Sequence, residues 1–431
     1  MSYSVYFKYG SKKYKLPVNP EEIKRSRELN IETYQVLEEG QVSIPSYCAL
    51  EEYSFEAEFP SQDVNYMESG TEADADHYEK MFRKAQKNKK PIRFIASNDI
   101  SDDISVKVLV KSVEVVEKAG EEGYTFFADP ECEFFLFHTD DNGIPTTVSH
   151  EQAGYLDVSP LDLGENARRD MVLTLEDMGV EVESSHHEKA PAQHEIDFRY
   201  GEAGRIADCV MTFKMAVRTV ARRHGLHATF MPKPRSEFNG SGMHLKFSLV
   251  KDGQNIFECK ETPGKISDAA FYFAGGLLAH SREMALITNP LVNSYKRLVP
   301  GYGAPTELTW TDSDQKSLVR IPFFRGQESM VELRSPDAAA NPYLVLAVCL
   351  AAGMDGIRKR LVPLKAGETE NPDCLPETLK EAIDIFENSS WIREILGEDF
   401  CRIYVESKKK EWLRYTRQVT DWEVEEYLYR L

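Results

Sequence analysis

Two glutamates, Glu131 and Glu133, stand two positions apart inside the apolar run from Phe127 to Phe137. In an extended strand successive side chains leave opposite faces, so both carboxylates point one way while Cys132, Phe134 and Leu136 point the other. The pattern recurs. From His194 to Tyr200, Glu195, Asp197 and Arg199 share a face opposite Ile196, Phe198 and Tyr200; from Gly242 to Leu249, His244, Lys246 and Ser248 alternate with Met243, Leu245, Phe247 and Leu249; and from Met330 to Arg334, Glu332 and Arg334 oppose Val331 and Leu333. Each segment predicts a strand with charge on one face and apolar mass on the other. An isolated Glu-x-Glu on a strand is ordinarily a solvated face, but four such strands imply a shared cleft, and cleft carboxylates need cations. Glutamates with one histidine and no cysteine suit a hard, oxygen-preferring ion such as magnesium or manganese better than zinc. Such ions, with arginines to hold anionic charge, form a usual kit for phosphoryl transfer. There is no G-x-x-x-x-G-K-[ST] loop, so a nucleotide is not cradled as in P-loop enzymes.

The elements that must position these residues change character near Glu121-Glu122-Gly123. Before it, short alternating segments (Ser4 to Tyr9, Tyr53 to Phe59, Ile92 to Ala96) are separated by Pro, Asn and Ser and predict a small strand-rich domain, with a helix through Met81 to Gln86. After Tyr124 strands alternate with longer helices. Ile206 to Arg222 carries apolar residues at 206, 209, 210, 213, 216, 217 and 220, a core-facing helical stripe. Ser267 is placed to cap a helix running through Met284, and Pro376 to start another ahead of Leu379 and Ile383. The expectation is an α+β chain with domains over 1–123 and 124–431.

Composition narrows the function classes. The 431 residues carry 52 Lys and Arg against 71 Asp and Glu, a formal net charge of -19. Such a chain is a poor non-specific binder of nucleic acid or anionic membrane, whose phosphates reward clustered Lys and Arg. No run of about 18 apolar residues and no signal-like start is present, which predicts a cytoplasmic protein. The 7 cysteines are scattered, without a C-x-x-C pair, and read as reduced thiols rather than disulfides or a zinc site.

Several segments carry a family resemblance: Pro130-Glu131-Cys132-Glu133-Phe134-Phe135, His186-His187-Glu188 with Gln193-His194-Glu195-Ile196-Asp197, Phe230-Met231-Pro232-Lys233-Pro234, Asn239-Gly240-Ser241-Gly242-Met243-His244, Asn293 through Tyr302, and Asn341-Pro342-Tyr343-Leu344. In order and spacing they resemble class I bacterial glutamine synthetase over about 124–431. The resemblance implies that family's catalytic fold, a curved antiparallel sheet with flanking helices, and an ATP-dependent ligation of glutamate to ammonia through a γ-glutamyl phosphate. It also implies two or more Mg²⁺ or Mn²⁺ ions: Glu133, Glu188 and Glu195 match the ligands of one, and Glu131, His244 and Glu332 those of a second beside the ATP phosphates. Asn239 and Gly240 match the loop that meets substrate glutamate, Arg297 the cation on its carboxylate, Arg320 and Arg334 catalytic phosphate-side arginines, and Lys246, Ser248 and Arg320 the nucleotide side. A homo-oligomer is implied as well, with neither nucleic acid nor membrane as partner.

The sequence departs from that pattern at informative places. Gly303 stands where the family has a flap glutamate that takes a proton from ammonium, Asp314-Gln315-Lys316 replaces a segment with a phosphate-side arginine, Met330 replaces a nucleotide-side arginine, and Lys246 replaces a His or Asn. Glu307 is the nearest acidic residue to Gly303 in sequence, in a different segment. Before Tyr124 the family's Asp-Gly-Ser-Ser segment is missing; Leu16 to Ile23, Glu52 to Pro60 and Lys90 to Ala96 instead resemble the amino-terminal domain of phage-tail baseplate proteins of the LysM type. The chain therefore reads as a fusion whose ammonia ligase activity is impaired. A γ-glutamyl-amine ligase using a larger amine, and a non-catalytic assembly protein with a passenger ligase domain, are the alternatives.

Overall fold

A computed structural model of the chain describes residues 115–430, apart from 260, 261, 263, 264, 314, 315 and 323–328, together with strand backbone in seven segments before residue 99. The chain divides into two compact units, Met1–Lys107 and Val108–Leu431. In the first unit, strands β1 (Tyr3–Tyr9), β2 (Lys12–Lys15), β3 (Lys24–Ser26), β4 (Leu29–Val36), β5 (Gly40–Cys48), β6 (Glu52–Ser54) and β7 (Arg93–Asn98) form a three-stranded sheet β2-β1-β7 and the antiparallel pairs β3-β6 and β4-β5. The helix expected through Met81 to Gln86, and most of the segments carrying the phage-tail resemblance, lie outside the described residues.

The second unit is built on one large sheet. Its longest strand, β8 (Tyr124–His138), pairs antiparallel with β10 (Gln193–Phe198) on one side and β13 (Met243–Lys251) on the other. The path runs β15-β16-β17-β13-β8-β10-β9, with β9 over Val182–His187, β15 over Glu307–Thr311, β16 over Ser317–Arg320 and β17 over Val331–Leu333. Off this path the short strands β11 (Gly201–Glu202) and β12 (Leu226–Thr229) pair with β8, and β14 (Gln254–Asn255) with β13; all of these pairings are antiparallel except β15 with β16.

The apolar face of the sheet carries the core. Phe134 meets Phe213 and Phe230 at ring separations of 5.8 Å, and Phe126 stacks on Phe247 at 5.3 Å. Phe213 belongs to helix α2 (Ala203–Arg223), which follows α1 (Glu165–Asp177); the α2 stripe Ile206, Val210, Phe213, Ala216, Val217 and Val220 is buried as its spacing requires, whereas Cys209 is only half-buried. Helix α3 (Asp268–Thr288) starts at Ser267, whose hydroxyl accepts from the Ala270 N–H. The other capping expectation shifts. The helix expected from Pro376 begins at Leu379, because the Thr378 side chain accepts from the Glu381 N–H and fixes the first turn there.

Helix α3 and a helix further on, Pro342–Lys359, touch backbone to backbone. A Cβ on Gly276 would lie 2.0 Å from the Ala352 carbonyl oxygen, and one on Gly356 2.1 Å from that of Tyr272. No side chain fits between these helices at that level. Gly276→Ala is therefore expected to destabilise this unit by about 1–3 kcal/mol through overpacking. Gly204→Ala, at an open position near the start of α2 with nothing within 4 Å, should be neutral or stabilising by about 0.4–1 kcal/mol. Urea midpoints of the two variants check the contrast; equal midpoints would mean that the helices separate without cost.

Candidate active site

Strand register turns the spacing of the charged residues into three rows across the polar face. One row is His186, Glu195 and Glu133; the next is Ser184, Asp197, Glu131 and His244; the third is Asp129, Lys246, Glu332 and Arg320. Glu195 thus stands directly opposite Glu133, and Asp197 opposite Glu131. Like charges in directly opposed positions repel. Burial sharpens this: the Glu195 carboxyl is pushed well above its ordinary range by burial and then by Asp197, Glu133 and its other acidic neighbours, and Glu133 is pushed up by burial and by Glu188. Burial also raises Asp197 and Glu332, each with Glu131 as its next cause, and takes Asp129 to about 7.

Among the described residues three clusters have ligand atoms within 4.8 Å of one another; two open into the cleft, His186, Glu188 and Glu195, and Glu131, His244 and Glu332, and the third, Glu151, Asp162, His187 and His194, is buried behind it. In the first, His186 lies 3.3 Å from Glu195 and 3.7 Å from Glu188. In the second, His244 Nδ1 lies 3.1 Å from Glu131 Oε2. Burial lowers the His244 pKa, and towards the Glu131 carboxylate, which only accepts, Nδ1 is the donor. Asp129 Oδ1, Asp197 Oδ1 and Glu332 Oε1 are buried without a hydrogen-bond partner. Orphaned carboxylate oxygens among opposed acids fit divalent cations.

Glu133 is tied down differently. Its Oε2 accepts from Gln193 Nε2 at 2.7 Å and from the Gly242 N–H at 2.9 Å, which orients the carboxylate from both neighbouring strands. The loop ahead of β13 closes over Arg297, a residue of helix α4 (Val292–Arg297). Arg297 is buried and donates to the carbonyls of Ser335 at 2.7 Å and Arg334 at 3.1 Å. A Cβ at Gly242 would sit 2.5 Å from the Arg297 guanidinium and one at Gly240 2.1 Å from the Pro232 carbonyl, so the loop reaches Arg297 only because both positions are glycine.

The cleft brings together Glu131, Glu133, Glu188, Glu195, Asn239, Gly240, His244, Arg297, Arg320, Glu332 and Arg334. Arg320 forms an ion pair with Glu332, and Arg334 Nε lies 3.4 Å from Glu332 Oε1. Lys246 and Ser248 are not in the cleft lining: Lys246 is turned onto Glu131, and Ser248 is buried in β13 opposite Phe127. Arg199 does not join the polar face. The strand ends at Phe198 after a register shift, and Arg199 pairs with Glu181 in an exposed position. Tyr155, His186, Lys189, Gln193, Asp197 and Tyr302 also line the cleft; strand parity singled out Asp197, but nothing in the sequence gave it a role. Behind the wall, Glu151 holds His187 and the Ala192 N–H, while Arg168 joins Asp162 to His194. This buried network fixes the turn from which Glu188 projects.

Similarity to known proteins follows the same boundary. A family model described as "Glutamine synthetase, catalytic domain" matches residues 110–427. A glutamine synthetase of Clostridium saccharobutylicum is 51% identical over 322 residues, 72% of this chain and 73% of that protein. One of Thermus thermophilus is 46% identical over 333 residues, 74% of each. A solved structure described as a "GmaS/ADP complex" is 31% identical with a TM-score of 0.67, covering 74% of this chain and 77% of that one.

Removing one charge from each cluster should have opposite effects on the ion-free protein. Glu195→Gln relieves repulsion by Asp197 and Glu133, and should raise stability by up to about 1 kcal/mol. Glu332→Gln removes the acid of the Arg320 ion pair and should lower it. Thermal midpoints check the signs, and each variant should gain less than the parent from saturating Mn²⁺, since ions that bind the folded form stabilise it. A parent midpoint indifferent to Mn²⁺ and Mg²⁺ would remove the ion sites.

Proposed function

The chain belongs to the glutamine synthetase family through its catalytic domain, and on that premise we propose that it is a glutamate-ammonia ligase, joining the two through a γ-glutamyl phosphate made at the cost of ATP. The single observation that carries the reading is the pair of carboxylate-histidine clusters set in one cleft with Arg297, Arg320 and Arg334. A carboxylate is a poor electrophile, and phosphorylation by ATP gives it a leaving group.

In this reading Glu133, Glu188 and Glu195, with His186 beside them, hold one Mg²⁺ or Mn²⁺ ion, and Glu131, His244 and Glu332 hold another. Bound there, the ions neutralise phosphate charge and orient the ATP terminus. Asn239, Gly240 and Arg297 position substrate glutamate, the buried guanidinium giving a fixed cation for its carboxylate. Arg320 and Arg334 steady charge on the transferring phosphoryl group, and the ion pairs that now occupy them on Glu332 keep them in the cleft beforehand. The γ-carboxylate oxygen attacks the terminal phosphorus and ADP leaves; ammonia then attacks the acyl carbon, phosphate leaves, and the amine gives up its proton. The "GmaS/ADP complex" neighbour, named for a bound nucleotide, supports the nucleotide assignment. Family members also assemble into oligomers, and we extend that expectation to this chain.

The acceptor step is where this cleft is weakest. Gly303, at φ +74, lines the cleft between Tyr302 and Ala304 and brings no carboxylate. Glu307 does not substitute for it, since it opens β15 opposite Ser317 and is absent from the lining. Met330 directly precedes β17 and carries no charge; Gln315 lies outside the described residues. The missing acid at 303 also favours a second reading, a γ-glutamyl-amine ligase whose larger amine occupies the space a glutamate side chain would take. The phage-tail resemblance of residues 1–122 remains a proposal on sequence segments alone, as does the idea that it sets an assembly role.

The test is phosphate release with ATP, glutamate and Mg²⁺, adding ammonium, a series of primary amines, or neither. Ammonia-dependent turnover should fall below that of an ordinary enzyme by about 100- to 10,000-fold, the range assigned to a lost acid-base group. Gly303→Glu should recover part of it. The recovery is limited because position 303 has a left-handed backbone and its Cβ would approach Asn239 Nδ2 to 3.1 Å. Parent turnover of roughly 1 to 1,000 per second with ammonium would show that no flap carboxylate is needed; faster release with a larger amine would select the second reading.

A further inference from the structure

Lys233 is buried between two prolines, Pro232 and Pro234, and a following proline disfavours helical backbone at the residue before it. Three separate pieces of the cleft wall converge on this short segment. The first is helix α4, which carries Arg297: the Lys233 N–H donates to Asn293 Oδ1 at 2.7 Å, and Asn293 Nδ2 returns a bond to the Lys233 carbonyl at 3.0 Å. The second is the loop of Asn239 and Gly240. The Pro232 carbonyl accepts from the Ser241 N–H at 2.8 Å and the Lys233 ammonium donates to the Phe238 carbonyl, so the loop is fastened at both ends. The third is the segment of Gly303. Lys233 Nζ lies 3.5 Å from the centroid of the Tyr302 ring, and Tyr302 stands between Gly301 and Gly303, at φ 94 and 74. Such a segment, turned by two glycines and outside any helix or strand, depends on side-chain contacts to hold its place. An ammonium has three donors and no acceptor, so it can give one to a carbonyl while its charge faces the ring.

We propose that Lys233 is a positioning residue of the glutamate pocket: its main chain holds helix α4 with Arg297, and its ammonium ties the Asn239 loop to the Tyr302 segment, so that loop and segment move as one piece. The proposal rests on the assignment of Asn239, Gly240 and Arg297 to substrate glutamate. In this role Lys233 touches no reacting group; it acts through the Phe238 carbonyl and the Tyr302 ring. Loss of the ammonium therefore frees the loop and the segment from each other, while α4 keeps its main-chain clasp. Glutamate affinity should suffer, and nucleotide affinity, carried by strands β8, β13 and β17, should not.

Hydrogen exchange of the whole chain, read by mass spectrometry without ligands, tests the tie itself. In Lys233→Met, which keeps the stem and loses the charge, peptides over 236–241 and 300–305 should exchange about tenfold faster than in the parent, while those of β8 and β13 stay unchanged. Lys233→Arg, which restores charge and donors, should return both peptides towards the parent. Tyr302→Leu, which removes only the ring, should quicken 300–305 alone, and it carries the test if circular dichroism shows Lys233→Met unfolded. Calorimetry with ADP and Mn²⁺ present then measures glutamate binding: Lys233→Met should weaken it about tenfold or more and weaken ADP binding by less than about twofold. Unchanged exchange of both peptides in Lys233→Met, or of 300–305 in Tyr302→Leu, overturns the tie. Equal losses of glutamate and ADP affinity overturn the positioning role and make Lys233 a residue of general stability. A parent that binds ADP but no glutamate overturns the glutamate assignment on which the proposal rests, a failure kept apart from the other two because the exchange measurement uses no ligand.

Discussion

Everything in the catalytic unit answers to one electrostatic constraint: two pairs of carboxylates, Glu195 with Glu133 and Asp197 with Glu131, are held directly opposite each other on neighbouring strands. The pairing is enforced from behind. Cys132, Phe134 and Ile196 sit fully buried on the reverse face, so a one-residue slip that separated the acids would bring the apolar set into the cleft. The core therefore stabilises a charge arrangement that is unfavourable in itself. Burial moves several of the acids towards their protonated forms, the direction a bound cation would oppose.

The loops are subordinate to that sheet. Arg297 reaches the cleft from a six-residue helix, and its guanidinium is fixed by main-chain carbonyls rather than by an acid. A cation held by carbonyls keeps its full charge for a ligand, which one held in a salt bridge does not. The glycines at 240 and 242 are the steric condition for this, because any side chain there would meet Pro232 or Arg297. On the far wall, Glu188 begins the turn closed by its own N–H to the Gln193 carbonyl, and the Glu151 and Arg168 network behind it makes the turn rigid. The Arg297 loop and the acidic strands are thus separate scaffolds that are joined at Glu133, which accepts from both β10 and the Gly242 loop, and at Gln193, which also donates to the Gly240 carbonyl.

Much of this was legible from parity alone. The period-two rule assigns faces to Glu131, Glu133, Glu195, Asp197, His244 and Glu332, and the strands observed carry them as that rule requires, because bulky apolar neighbours leave only one way to bury each strand; Arg334, just past the end of β17, still reaches the cleft. The rule failed where a strand ended: Arg199 continued the alternation on paper, but a register shift after Asp197 turned it out to solvent. It was also silent about pairing between strands. Lys246 and Glu131 are not opposite in register, and their contact depends on a long side chain reaching diagonally, which no spacing within either segment encodes. The start of the helix at Leu379 was misplaced because Pro376 and Thr378 are competing signals and the side-chain cap prevailed.

The balance of charge in the cleft explains why ions and substrates must be linked. Six carboxylates, Glu131, Glu133, Glu188, Glu195, Asp197 and Glu332, face four Lys and Arg side chains, Lys189, Arg297, Arg320 and Arg334, besides His186 and His244, and two of those four already lie against Glu332. Glutamate and ATP are themselves anions. Brought to the ion-free cleft they would add to its repulsion; brought after divalent cations they meet a surface whose sign has been reversed. An ion that improves nucleotide affinity must be bound more tightly in the presence of nucleotide by the same factor, since the two equilibria share one thermodynamic cycle. The acids on the sheet are therefore not a binding surface for substrate at all. They are a means of making anion recognition conditional on the cation, with the arginines supplying the part of it that is permanent.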